Sequence, residues 1–300
     1  MEARNPREGC AALVLGHYRQ RRAGVARIRQ TWLPTGMVRQ PDQASQPPRS
    51  EVKGTIGGLE IVTTADRHDL DDQARDALRT VWPEFIFHDP ISSEHIGRVG
   101  TYFRHYDVLL LDEGQVVAGG WGVPVRWDGA ISTLPDGYDG ALVSAVTGYE
   151  NAVPANTLCI MAAAVKADRQ GSGWAGRALT ALRERATAAG LQRVIAPVRP
   201  ALKSRYPLTP MENFARWTRS DGLHIDPWIR THERLGASIL APAPRSMIIT
   251  GTVPEWEDWA AMAFPETGPY VVPDALDLVA IDREQDRGTY AETNLWMRHT

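Results

Sequence analysis

Apolar and polar positions alternate along Leu59-Glu60-Ile61-Val62-Thr63, the pattern of a half-buried strand, and ordered structure is expected to begin there. Helical spacing follows over 70–81 and 93–106. The apolar run 107–112 then turns through Glu113-Gly114 into 115–127, a hairpin signal, and Pro124 inside the second run predicts an edge or a bulge. Residues 128–155 read as loop with a short helical patch near 141–146. A buried strand is expected over 157–165. From Trp174 to Ala189, Ala175, Ala178, Leu179, Leu182 and Ala186 form a 3.6-residue stripe that Gly190 stops, and 194–198 reads as the next strand. Further on, 211–218 is expected to be helical, and Asp226-Pro227 opens a helix that ends at Gly236, with Asp as N-cap and Pro at the first helical position. Strand-like segments lie at 246–250, 276–281 and near 290–297. Trp256, Trp259 and Phe264 stand at helical spacing between prolines and read as core packing; an aromatic lid over a substrate pocket is the alternative.

No internal repeat interrupts this series, so it reads as one α+β domain over 58–300, its last part (about 250–300) a C-terminal extension. Ahead of it, a disordered Arg-rich extension and linker is expected over 1–57, rich in Pro, Gln, Ser and Gly towards its end. Residues 1–50 hold nine Arg and no Lys against Glu2, Glu8 and Asp42, whereas the whole chain carries a net charge of −3. The domain itself is therefore acidic, which gives no reason to expect nucleic acid. It does not exclude a phosphorylated ligand, because local backbone donors can capture phosphate against the global field. Cys10 and Cys159 lack metal-type spacing and suit a reducing, cytoplasmic setting. No apolar run approaches a membrane span, no His/Cys/acid cluster has ligand spacing, so no metal is expected, and no G-x-S-x-G elbow is present.

Chemistry enters at Lys166–Gly176 (KADRQGSGWAG), which joins a strand to a helix. Unpaired N–H groups at the helix start, together with the positive end of its dipole, make an anion site. A merely glycine-rich turn is the plain alternative. Gly171-Ser172-Gly173-Trp174-Ala175-Gly176 also satisfies G-x-G-x-x-G, but five polar residues separate it from the strand and the next strand ends at Val198-Arg199 without the ribose-binding acid. Gln170-Gly171-Ser172-Gly173-Trp174-Ala175 matches Q/R-x-x-G-x-G/A at every defined position. With the element order over roughly 59–240, this resembles the GNAT acyltransferases. The resemblance implies a mixed, mostly antiparallel central sheet flanked by helices. It also implies that acetyl-CoA or another acyl-CoA is held by the backbone of Gln170, Gly171, Ser172, Gly173, Trp174 and Ala175, with the pantetheine arm lying beside Ala164 and Val165 where two parallel strands splay.

In that family a tyrosine commonly protonates the leaving thiolate, in a pattern like Y-x-x-x-G-F. Here the matching stretch is His232-Glu233-Arg234-Leu235-Gly236-Ala237, so His232 stands in the catalytic position. An imidazole exchanges protons near neutrality; a core histidine with no such role is the plain alternative. Asp226 to Ala237 further resembles a helix of the GNAT-like loading domains of polyketide synthases, whose histidine takes part in decarboxylating malonyl-CoA and which pass an acetyl group to a carrier-protein thiol. Arg245 would correspond to an arginine of those domains, whereas their threonine near 197–198 is replaced by Pro197-Val198. Glu150, Asp168 and Glu212 qualify as a general base by type alone. Three functions remain open on sequence: acyl transfer from CoA to a small amine, decarboxylation or S-acyl transfer to a carrier-protein thiol, and a non-catalytic CoA-binding module.

Overall fold

The computed structural model describes residues 59–300; the expected extension and linker over 1–57, with Cys10, lie outside the described residues. Among the described residues, nine strands make one sheet: β1 (Leu59–Thr63), β2 (Asp107–Asp112), β3 (Gln115–Val125), β4 (Thr157–Val165), β5 (Arg193–Val198), β6 (Ala237–Gly251), β7 (Gly268–Tyr270), β8 (Val279–Asp282) and β9 (Arg287–His299). Around it lie α1 (Asp71–Leu78), α2 (Pro90–Tyr102), α3 (Gly137–Glu150), α4 (Trp174–Ala188), the single turn α5 (Met211–Phe214), α6 (Pro227–Arg234) and α7 (Val253–Ala260). The order is β1-β2-β3-β4-β5-β9-β8-β7, with β6 on the opposite edge of β9 from β5 and β8. Of the pairings among the described residues, β4 with β5 is the parallel one and all others are antiparallel. The α+β class with a mostly antiparallel sheet is therefore the observed one.

The β2–β3 hairpin turns where Glu113 and Gly114 both take positive φ (51° and 75°), the handedness that matches strand twist. Pro124 lies in a strand that is interior over most of its length, but β2 ends opposite Trp121 and the register shifts between Trp121 and Gly122. Beyond that bulge β3 has a ladder partner on its β4 side alone, so a residue without an N–H fits. Three helices depart from the sequence pattern. α2 starts at Pro90 rather than 93, because the Asp89 side chain accepts from the Ile91 and Ser92 N–H groups. α3 runs for 14 residues where a short patch was expected, its apolar stripe diluted by Gly140 and Gly148. Conversely, the helix expected over 211–218 is a single turn.

The segment read as a C-terminal extension supplies one strand, β9, to the sheet's middle, and β8 and β7 to its end. β9 inserts between β5 and β6, pairing Val198 with Leu295 on one side and Ala237 with His299 on the other. The main core fills the space between the sheet and α1–α4 and includes Cys159, a free thiol whose pKa burial pushes up. A second core packs Phe85, Trp256, Phe264 and Tyr290 with β8. Trp256 and Phe264 are fully buried there and Trp259 stacks on His88, so these aromatics are packing and not a lid.

The start of α3 is pinned to β6. Gly137 adopts φ +66°, and a Cβ there would lie 2.2 Å from Ser246 Cα. Gly137→Ala should therefore destabilise the fold by about 1–3 kcal/mol through overpacking alone, read as a lowered urea midpoint; an unchanged midpoint would show that this contact yields freely.

Candidate functional site

The site begins where a parallel pair stops pairing. β4 and β5 are bonded over Thr157–Cys159 and Arg193–Ile195, after which β4 continues to Val165 and β5 to Val198 without one another. A cleft of about 790 Å³ opens from this gap to the start of α4. Its walls include Ala164, Val165, Gln170, Gly171, Gly173, Trp174 and Ala175. Of the residues the sequence assigned to the loop, Ser172 is exposed and does not line the cleft. Gly171 and Gly173 take φ +79° and +80°, and Gly173 caps α4 without any side-chain acceptor. The N–H groups of that helix's first turn are thus left to an external partner, and the helix is long enough for its dipole to favour an anion. Arg230 and Arg234 add positive charge around the same cleft, against Asp274, while Arg199 in its wall is neutralised by Glu292. Backbone donors, cationic walls and an open strand edge together suit a pyrophosphate joined to an amide-bearing arm.

A second, tighter cavity of about 70 Å³ continues inward, sharing Trp82, Ala163, Arg199 and Trp228 with the cleft. Its lining is largely apolar, with Trp121, Tyr138, Glu292, Asn294 and His232 supplying polar groups. Glu292 is fully buried and fully paired. Arg199 Nε donates to its Oε2 at 2.9 Å, the Tyr290 hydroxyl donates to the same oxygen at 2.9 Å, and Asn294 Nδ2 donates to Oε1 at 2.8 Å. The network runs on through the Ser246 hydroxyl, which donates to Asn294 Oδ1 at 2.6 Å, to the Tyr138 N–H, which donates to Ser246 Oγ at 2.7 Å. Beneath Tyr138, burial and the neighbouring Asp89 push the Asp139 carboxyl up to about 8, so these two acids share a proton at neutral pH.

His232 stands on α6, whose N-cap Asp226 accepts from the Trp228 and Ile229 N–H groups at 2.8 and 3.0 Å and, with its other oxygen, from Leu202 at 2.6 Å. That fixes the helix, and Trp228, four residues earlier, meets the His232 ring edge to face. The ring is 1% exposed; Nδ1 lies 2.9 Å from His299 Nε2, while Nε2 has no partner. Burial, reinforced by His299, pushes the His232 pKa down to about 3, and burial with Arg183 pushes His299 down to about 4. His232 is therefore a neutral imidazole at physiological pH, able to take up a proton or hold a hydrogen bond, and not a standing acid.

Arg245 is exposed at a register shift of β6 with φ +55°, outside both cavities. Glu150 pairs with Arg98, Asp168 with Lys166, and Glu212 lies on α5, so none of the three acids reaches the cavity. Sequence reasoning missed Trp82, Arg199, Trp228, Glu292 and His299. Trp228 was within reach, one turn from His232. Among the described residues no cluster of three or more His, Cys, Asp or Glu is placed to hold a metal, and no helix is long and apolar enough to cross a membrane.

No family model matches the chain. An arginine N-acetyltransferase of Aspergillus versicolor is 27% identical over 274 residues, covering 81% of this chain and 94% of the relative. Among solved structures, the loading GNAT-like domain of CurA from Lyngbya majuscula superposes with a TM-score of 0.50 at 15% identity over 80% of this chain and 96% of that one. The GNAT-like decarboxylase GphF, solved with isobutyryl-CoA, gives a TM-score of 0.46 at 15% identity over 81% of this chain and 98% of its own.

Since both imidazoles are neutral well below pH 6, the ring proton signals of His232 and His299 should stay flat when followed by NMR from pH 8 down to pH 5.5. A titration of either with a midpoint near 6.5 would contradict their burial.

Proposed function

We propose that this chain, a protein of the GNAT fold, is an acyl-CoA-dependent N-acyltransferase that moves an acetyl or other short acyl group onto a small amine. One observation carries the reading: the cleft at the α4 N-terminus runs into the cavity holding His232 through four shared residues. The backbone of Gln170, Gly171, Gly173, Trp174 and Ala175 would hold the pyrophosphate, with Ser172 in the same turn, and the free edge of β4 at Ala164 and Val165 would pair with the amide-bearing arm. Acyl-CoA supplies an activated thioester. The chain must then orient the amine, keep water out and move one proton. His232 Nε2, uncharged and unpartnered, accepts that proton from the amine nitrogen and returns it to the departing thiolate, so its low proton affinity makes it a carrier and not a reservoir. The unpartnered indole N–H of Trp121 is a donor available to the acyl oxygen or the acceptor.

Arginine is the first acceptor to try, given the Aspergillus relative. Glu292 in the cavity wall is neutralised by Arg199 and so sets no charge preference for the acceptor. A cytoplasmic location, with access to acyl-CoA, belongs to the same proposal, as does the absence of a metal requirement.

The purified protein should release free thiol from acetyl-CoA when arginine or agmatine is added, and the product should carry one acetyl group by mass spectrometry. His232→Ala should lower kcat about 10²- to 10⁴-fold while leaving acyl-CoA binding intact. Carbon dioxide released from malonyl-CoA without any amine would instead favour a decarboxylase, and tight CoA binding with no turnover a binding module. Gly173→Ala forces a left-handed residue to carry a Cβ, at about 1–2 kcal/mol, and should raise the KM for acyl-CoA without a matching loss in kcat.

A further inference from the structure

In the proposed acyl transfer His232 uses one ring nitrogen, Nε2; the other, Nδ1, is engaged by His299. His299 sits near the end of β9, where that strand is clasped between Val194 of β5 and Ala237 of β6. This brings its Nε2 to 2.9 Å from His232 Nδ1, with the ring centroids 5.0 Å apart. Both rings are buried, at 1% and 5% exposure, and the two outer nitrogens, His232 Nε2 and His299 Nδ1, have no partner.

We propose that His299 is a positioning residue for the acyl transfer: its Nε2 accepts the Nδ1–H of His232, and so holds the His232 Nε2 lone pair towards the cavity.

A neutral imidazole carries a single N–H, so a bond between two ring nitrogens requires one to be protonated and the other bare. If His299 donated, the His232 proton would have to lie on Nε2, and the cavity would face an N–H that cannot take a proton from an amine. With His232 as donor, Nε2 is the free acceptor that the chemistry needs. When the amine proton arrives, Nδ1–H still has its acceptor, so the imidazolium is held without rearrangement. This is the role a buried carboxylate plays behind the histidine of a serine hydrolase, here filled by a neutral base.

A carboxylate would charge the site permanently and raise the affinity of His232 for its proton; a second imidazole orients the ring without doing so. Arg183 of α4 is the charged group that acts on His299. Its guanidinium donates to the carbonyls of Leu235 and Thr300, tying the end of α6 to the residue after His299. That fixed positive charge adds to burial in opposing a second proton on His299. On the remaining neighbour, α6, Glu233 faces away and accepts the His224 N–H at 2.8 Å.

This inference rests on the acyltransferase reading for its kinetics but not for its geometry, and the experiment separates the two. Protein labelled with ¹⁵N-histidine gives the protonated nitrogen of each ring directly by long-range ¹H–¹⁵N NMR. In the unmodified protein His232 should carry its proton on Nδ1. His299→Gln, whose amide oxygen can still accept, should keep that tautomer and a kcat within about fivefold of the parent. His299→Phe should lose the tautomer and lower kcat about 10²-fold, with the KM for acyl-CoA unchanged. A His232 proton on Nε2 in the unmodified protein overturns the proposal, whatever the activity. So does parental kcat in His299→Phe, or a Gln variant as slow as the Phe variant while the fold is intact by melting temperature. If the Phe variant does not fold, the tautomer of the unmodified protein and the rate of the Gln variant decide. Absence of thiol release with any amine would remove the acyltransferase reading and leave the tautomer result standing.

Discussion

Everything in the site follows from two parallel strands that stop bonding. β4 and β5 share a ladder for three residues and then diverge, leaving the β5-facing edge of Ile160–Val165 without a backbone partner. Backbone N–H and C=O groups are rarely left unpaired without water or a ligand, so this edge is a standing offer to an extended, amide-bearing molecule. The same divergence decides what else is near. The α4 N-terminus, set by the turn after β4, lies at the outer end of the gap, while the cavity with His232 lies at its inner end. β9 then bonds to the far edge of β5 and forms the floor, so opening one side of β5 does not cost the sheet its continuity.

The outer half of this arrangement was legible along the chain because it is local. Strand, turn and helix are contiguous from 157 to 188, and the loop's glycines stand where positive φ is needed, at Gly171 and Gly173. His232 was legible for a related reason: Asp226-Pro227 fixes the start of its helix and Gly236 its end, so its register could be counted. Ser172 belongs to the same exposed turn but does not line the cleft, and the motif does not say which residues of the turn do.

The inner half was not legible because it is built from distant segments. Glu292 and Asn294 lie on a strand at alternating positions, and polar residues at period two normally mark the solvent face. Nothing in that stretch reveals that β9 is interior, which depends on β5 and β6, both distant in sequence, pairing with its two edges. His299 is hidden for the same reason: its partner lies 67 residues earlier in the chain. α3 was underestimated on different grounds, since its glycines blur a helical stripe that tertiary packing makes unnecessary.

His232 and His299 each leave one buried ring nitrogen without a partner. His224, equally buried, is complete: Nε2 donates to the Phe214 carbonyl at 2.9 Å and Nδ1 accepts the Asp226 N–H at 2.9 Å, so it serves to fix the start of α6. Glu292 is likewise complete, with three donors on two oxygens. Around the cavity the buried polar groups are paired with one another almost throughout, as a low-dielectric interior demands. Against that background an imidazole nitrogen left bare in a cavity wall carries an unsatisfied cost that the fold does not remove. It is held there by an N-capped helix on one side and a clasped strand end on the other. Such a cost is offset where a transient partner relieves it, and His232 lines the inner cavity that adjoins the α4 cleft.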